Sequence, residues 1–494
     1  MRIAYTSTRC KKEITSAEAI IKGIADDGGL YIPIEFPTID IPFSELLSYD
    51  YKKLSVYILK KYFTDFTDEE IKDCVYKAYD NKFTNDSIAP VAKIDENFFL
   101  ELYHGPTLAF KDMALSILPH LLKTSCRKLK IKDEIVILTA TSGDTGKAAL
   151  EGFADVEGTK VIVFFPENGV SPIQKRQMIT QEGKNTYVVG IDGNFDDAQK
   201  AVKEIFNDKE FNKLLEDKGC MLSSANSINI GRLVPQIVYY IYSYLCMLKN
   251  REIKEGESIN IAVPTGNFGN ILAAYYAKKM GLPINKLICA SNENNVLCDF
   301  FNEGRYNKNR DFKVTISPSM DILVSSNLER LLYHISNENE KKVDRLMREL
   351  SDKGQYIIDK DMKNELDSFY SSFASDEETY KAIRDIFEDT SYLVDTHTAV
   401  AYKAYMDYKQ ATGDNTKTIV VSTASPFKFP RDVCKALKID SDELDDFDLV
   451  YKLSAFAGVK IPNAISNIEN KDIIHTNVCK KEEIKKEIKN FLKV

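Results

Sequence analysis

A series of apolar, β-branched runs constrains this chain more than any other feature. IVILTA (Ile135 to Ala140) leads into TSGDTG and the small-residue stretch KAALEGFA. VIVFFP, from Val161, leads into a stretch starting SPIQ. INIAVP (Ile259 to Pro264) leads into TGNFGN and ILAAYYAKKMG, and TIVVS, from Thr418, ends in STASP. A strand that is apolar on both faces must be covered on both faces, and helices follow these strands at regular intervals. The rhythm of strand, tight loop and helix therefore predicts an α/β fold with a parallel sheet between helices. In such sheets, ligands bind outside the carboxyl ends of the strands. HGPT, which follows FLELY, and the loops TSGDTG, TGNFGN and STASP all fall at that end. They are candidates for one shared site.

The rhythm begins near residue 95. Before it, TSAE (Thr15 to Glu18) has capping-box spacing ahead of the apolar AIIKGIA, and DDGGLYIP (Asp26 to Pro33) is a turn signal. Ser44 to Asn81 reads as amphipathic helices. Further on, Ser171 and Pro172 suit the N-cap and first position of a helix. The stretch from Glu338 to Asp389 reads as charged, solvated helices without chemistry. KKEEIKKEIKNFLKV, at the end, reads as an amphipathic helix whose charges form a solvated face.

The net charge of -8 argues against nucleic acid or an anionic membrane as partner, since both require a basic surface. The 9 cysteines include no C-x-x-C pair, which fits free thiols in a reducing compartment. The 5 histidines form no cluster of metal-ligand spacing with cysteine, so no metal is expected. The N-terminus lacks an apolar signal core, and no apolar run is long enough to span a bilayer. The expectation is a soluble, cytoplasmic protein.

Each loop has a chemical reading and a plain one. In TGNFGN, glycine freedom at a helix start suits an oxyanion such as phosphate, yet a simple strand-to-helix turn has the same wording. TSGDTGK is not a nucleotide-binding P-loop, because Thr141 stands where its first glycine belongs. It remains a hydroxyl-rich loop at a helix start, suited to a carboxylate or phosphate, or else an N-capped turn. In NSINIGR, Arg232 offers a forked contact to phosphate; the alternative is a helix capped by Asn226 or Ser227 and carrying a surface arginine. Thr423 ends a buried strand, which is ordinary by itself. Lys111, inside the apolar HGPTLAFKDMALS, costs free energy unless something uses its charge.

Taken in order, these motifs resemble the threonine synthase family, fold-type II pyridoxal-phosphate enzymes, in its longer microbial and fungal form. The likeness runs from YTSTR and KGIADDGGLYIP through ELYHGPTLAFKD, TATSGDTGKAA, SPIQKRQM, IDGNFDDAQ, NSINIGR, VPTGNFGN and DTHTAVAY to STASP. It implies an N-terminal domain over 1–94 and a catalytic region over 95–494, with a smaller α/β subdomain at about 135–235. It implies pyridoxal 5'-phosphate bound covalently through Lys111. Gly266, Asn267, Phe268, Gly269 and Asn270 would hold the cofactor's phosphate, Thr423 its pyridine nitrogen, and Asp144 would lie near the ring hydroxyl. A shorter branch of the family has Asn where Asp144 stands. Thr141, Ser142 and Thr145 match a substrate-binding loop, and Asn226, Ser227 and Arg232 match residues that hold the substrate's phosphate.

The sequence departs from the family after the strand-end threonine. The family often reads His-Pro-Ala-Lys-Phe there, and this chain has Ser425-Pro426-Phe427-Lys428-Phe429. The implied reaction converts O-phospho-L-homoserine and water to L-threonine and phosphate in a monomer or homodimer. The motifs do not separate it from a phospho-lyase that releases 2-oxobutyrate and ammonia. Retention of Lys111, both phosphate-type loops and Thr423 argues against an idle cofactor-binding protein.

Overall fold

The computed structural model describes residues 3–141, 143–167, 170–193 and 195–494. Its largest sheet has 6 strands in the order Phe369–Phe373, Ile284–Ser291, Ile259–Pro264, Thr418–Ser422, Asn97–Glu101, Val91–Ile94. All neighbours are parallel except the hairpin between Val91–Ile94 and Asn97–Glu101. Every residue of the central strands Ile259–Pro264 and Thr418–Ser422 is buried, as continuous apolar runs require.

A second sheet orders 5 parallel strands as Val478–Cys479, Thr186–Ile191, Thr159–Pro166, Glu134–Ala140, Cys220–Ser223. Its edge strand Val478–Cys479 comes from the end of the chain. The following helix Ile484–Leu492 buries Ile484, Ile488 and Leu492 in this sheet's core. The N-terminal part pairs Tyr5–Ser7 with Tyr31–Pro33 and adds helices including Tyr51–Tyr62 and Asp68–Ala78. It shares one continuous apolar core with the six-stranded sheet. The Thr15–Glu18 capping box and the Ser171 cap with Pro172 behind it both form. No helix among the described residues is long and apolar enough to cross a membrane.

Two local expectations give way. The stretch 338–389 is not helical throughout: Phe369–Phe373 is an edge strand of the six-stranded sheet. Its sequence, FYSSF, buries Phe369 and Ser371 and leaves Phe373 exposed, so it lacks the apolar run that marks the central strands. The helix after NSINI starts at Ile230 and is capped by Asn229, not by Asn226 or Ser227. Asn229 Oδ1 accepts the Gly231 N–H at 2.8 Å, and its Nδ2 donates to the Ile20 carbonyl at 2.9 Å. This side chain is 1% exposed, so Asn229→Ala leaves two buried groups unmet. We expect a loss of about 1–3 kcal/mol, read as a lower denaturant midpoint.

Candidate active site

Lys111 stands immediately before the short helix Asp112–Leu115. Backbone bonds tie its loop to the end of a central strand. The Phe110 N–H donates to the Thr423 carbonyl at 2.8 Å, and the Ser425 N–H donates to the Leu108 carbonyl at 3.0 Å. Leu108 is held at a φ of 59°, a left-handed conformation that costs a branched side chain free energy. The Lys111 amine lies 3.4 Å from Asp144 Oδ2 and 3.3 Å from Ser319 Oγ. Burial lowers its pKa; Asp144 opposes this, while the cations of Lys428 and Arg232 add to the lowering. The amine is thereby biased toward its neutral form. Asp112 turns away from the amine. Its carboxylate accepts from the Thr107 N–H at 2.8 Å and from Thr107 Oγ1 at 2.5 Å, and burial pushes its pKa up to about 6.

Asp144 begins the helix Asp144–Phe153 and is buried. Its Oδ1 lies 2.6 Å from Lys428 Nζ and accepts from Gln174 Nε2 at 2.8 Å. Its Oδ2 faces Lys111 and accepts from Ser319 Oγ at 3.3 Å. Burial alone would raise this carboxyl, but the charges of Lys428 and Lys111 outweigh it and hold the pKa well below the usual carboxylate range. A folded-state pKa below the unfolded one contributes stability that is complete above about pH 4 and is lost as the pH falls. Asp144→Asn is therefore expected to flatten the acid limb of stability against pH, measured by denaturant unfolding.

A cleft of about 410 Å³ lies between the two sheets' loops, with Lys111 and Thr423 on its wall. Gly266, Asn267, Phe268, Gly269 and Asn270 line it next to them. Phe268, with φ 61°, caps the helix Gly269–Lys279, whose first N–H groups have no intrahelical partner. The turn thus presents donors and a positive pole to the cleft. A Cβ on Gly266 would lie 2.7 Å from the Ser319 carbonyl oxygen, so no larger residue fits there. Asn270 Oδ1 accepts from Tyr240 Oη at 2.6 Å, and its buried Nδ2 has no partner among the described residues.

The hydroxyl-rich loop lines the opposite wall through Thr141 and Thr145, while Ser142 lies outside the described residues. Thr141 Oγ1 accepts from the N–H groups of Gly143 at 3.0 Å and Gly146 at 2.9 Å, which shapes the turn. Asn226 is exposed at the cleft, and Ser227 Oγ donates to its Oδ1 at 3.2 Å. Arg232 is not a surface arginine. It is 3% exposed, Nη1 donates to the Ala225 carbonyl at 2.6 Å, and Nε has no partner among the described residues. No ion pair to Arg232 occurs among the described residues. Burial lowers its pKa to about 10, so it remains a cation at neutral pH. A buried, uncompensated cation is costly unless an anion meets it.

Sequence reasoning missed Ser319 and His397, which also line the cleft. His397 Nε2 accepts the Ser319 N–H at 3.1 Å, and its Nδ1 lies 2.8 Å from Asp395 Oδ2. That pattern places the ring proton on Nδ1. The signal was present in DTHTAV, where Asp395 caps the helix Thr396–Thr412. Nothing in the sequence linked His397 to Ser319 across 78 positions.

Residues 89–424 match the family model for pyridoxal-phosphate dependent enzymes. Residues 4–79 match that for the threonine synthase N terminus, and residues 398–483 that for the threonine synthase C-terminal region. The crystal structure of PLP-bound threonine synthase from Brucella melitensis aligns with a TM-score of 0.88 at 32% identity, covering 100% of both chains. Fold and site together define a fold-type II pyridoxal-phosphate-dependent enzyme. Threonine synthase of Schizosaccharomyces pombe is 37% identical over 480 residues, 89% of this chain and 90% of that one. Threonine synthase-like 1 of Homo sapiens is 39% identical over 468 residues, and the alignment takes in 90% of this chain but 62% of that longer protein. This chain belongs to the threonine synthase family.

The residues present fit pyridoxal phosphate. Lys111 offers an amine biased toward the neutral, nucleophilic form, and the turn at Gly266–Asn270 offers unmet N–H donors beside the orphaned Asn270 amide. The close approach at Gly266 shows that this turn has no room for added side chain.

Proposed function

We propose that this chain converts O-phospho-L-homoserine and water to L-threonine and phosphate. The observation that carries the reading is Arg232, a buried cation with no ion pair among the described residues, in the same cleft as Lys111. It supplies an anion site in addition to the helix start at Gly269. A substrate bearing its own phosphate meets that requirement.

Pyridoxal phosphate, when bound, provides an electron sink for negative charge at the substrate's α carbon. Gly266, Asn267, Phe268, Gly269 and Asn270 hold its phosphate, and Lys111 anchors it. Thr423 offers the ring nitrogen a hydroxyl, which cannot form the charge-assisted bond of a carboxylate. Asp144 faces the Lys111 amine. That amine then takes the α proton as general base, a role favoured by burial, which lowers its pKa. Thr141, Ser142 and Thr145 hold the substrate's carboxylate end, and Arg232, with Asn226 and Ser227, holds the phosphate that leaves. We assign residues 1–94 to an N-terminal domain and 95–494 to the catalytic region, with a smaller unit at about 135–235. We further infer a cytoplasmic protein, monomeric or homodimeric, whose partner is this small molecule.

The test is product analysis with O-phospho-L-homoserine and the cofactor-loaded chain. Threonine and phosphate in equal amounts are expected. Release of 2-oxobutyrate and ammonia in place of threonine would overturn the assignment in favour of a lyase.

A further inference from the structure

We propose that Lys428 is a positioning residue of this site: it neutralises the Asp144 carboxylate and turns it so that one oxygen alone faces Lys111. The inference rests on Lys111 being the cofactor lysine. Lys428 is 0% exposed and lies in the short turn Pro426–Lys428, just past Thr423. Its amine reaches Asp144 Oδ1 at 2.6 Å and donates to the Thr107 carbonyl at 2.9 Å. It therefore joins the strand end, the loop that leads to Lys111 and the head of the helix Asp144–Phe153.

The carboxylate's two oxygens have different tasks. Oδ1 takes Lys428 and Gln174 together, at 2.6 and 2.8 Å. Oδ2 is left for Lys111 and the Ser319 hydroxyl, at 3.4 and 3.3 Å. A fully buried lysine is costly without a partner, and removing one member of a buried pair leaves the other uncompensated. With Lys428 in place, carboxylate and ammonium form a pair without formal net charge, and the ammonium offsets part of what Asp144 does to the Lys111 amine. This accounts for an acidic residue where a shorter branch of the family has neutral Asn: carboxylate plus ammonium stands in for the amide.

The charged groups around Lys111 come from several elements. Asp144 lies at a helix start, Lys428 in its turn, and Arg232 on the helix Ile230–Lys249, all acting on the amine. Asp112 acts on Lys428's side, as Thr107 holds its carboxylate, and His397 reaches the backbone of Ser319. Of these, Lys428 alone bonds directly to the carboxylate that Lys111 faces.

The experiment compares Lys428→Gln, Lys428→Arg and the double variant Asp144→Asn with Lys428→Gln. Two readouts are followed against pH. One is the absorbance of the lysine-bound cofactor in the loaded chain. The other is the rate at which acetic anhydride labels Lys111 in the cofactor-free chain, read by mass spectrometry. Lys428→Gln is expected to move both midpoints up by about one pH unit, because Asp144 then faces Lys111 uncompensated. Lys428→Arg and the double variant are expected to keep the parent midpoints. Unmoved midpoints in Lys428→Gln would overturn the proposal. If that variant does not fold, the double variant decides: a folded chain with parent midpoints supports the pairing, and an unfolded chain or a shifted midpoint refutes it. Failure of the cofactor reading shows separately, as an absorbance band that survives Lys111→Ala.

Discussion

Lys111→Ala is expected to abolish the absorbance of the lysine-bound cofactor and to cut turnover by about 10³-fold or more. On the proposed roles two losses combine: the anchor of the cofactor and the base that takes the α proton. General base catalysis alone is worth about 10²–10⁴-fold. Lys428, the nearby buried lysine, does not replace it, because its amine is engaged by Asp144 Oδ1 and the Thr107 carbonyl. The helix behind Lys111 buries Met113, Ala114 and Leu115, and the loop before it is pinned by backbone bonds to Thr423 and Ser425. The substitution should therefore leave the fold intact, which thermal unfolding of the cofactor-free chain would verify. A variant with parental turnover would remove Lys111 from the mechanism.

Arg232→Met should divide stability from function. The side chain is a buried cation whose one hydrogen bond among the described residues goes to the Ala225 carbonyl. Replacing such a charge with an apolar group of similar length is often neutral or stabilising. On the proposed reading its value lies with the substrate anion it would meet. A hydrogen bond to a charged group contributes about 1.5–3 kcal/mol, so kcat/KM for O-phospho-L-homoserine should fall by about 10–150-fold. Cofactor affinity should hold, since the Gly266–Asn270 turn is a separate element. A matched loss of cofactor would place Arg232 on the cofactor's phosphate instead.

The α/β plan was legible because burial on both faces writes continuous apolar runs, as in INIAVP and TIVVS. The same physics hides the edge strands. Phe369–Phe373 is half covered and reads as polar, while Val478–Cys479 is two residues long and joins a sheet built far earlier in the chain. Asn229 lost the cap to its neighbours on paper for a related reason: its second bond goes to Ile20, across the N-terminal unit.

The candidate site divides in the same way. Strand-end loops, their glycines and hydroxyls, and the awkward Lys111 were readable because each is a local pattern with a local physical cost. The burial of Arg232, the tie between His397 and Ser319, and the hold of Lys428 on Asp144 join residues from distant segments. A buried charge's free energy depends on which charges surround it, and chain order does not record those distances. Residue types and loop positions thus set the available chemistry. Packing decided which amine is buried beside a carboxylate, which carboxylate pairs with a buried lysine and which buried arginine has no ion pair among the described residues.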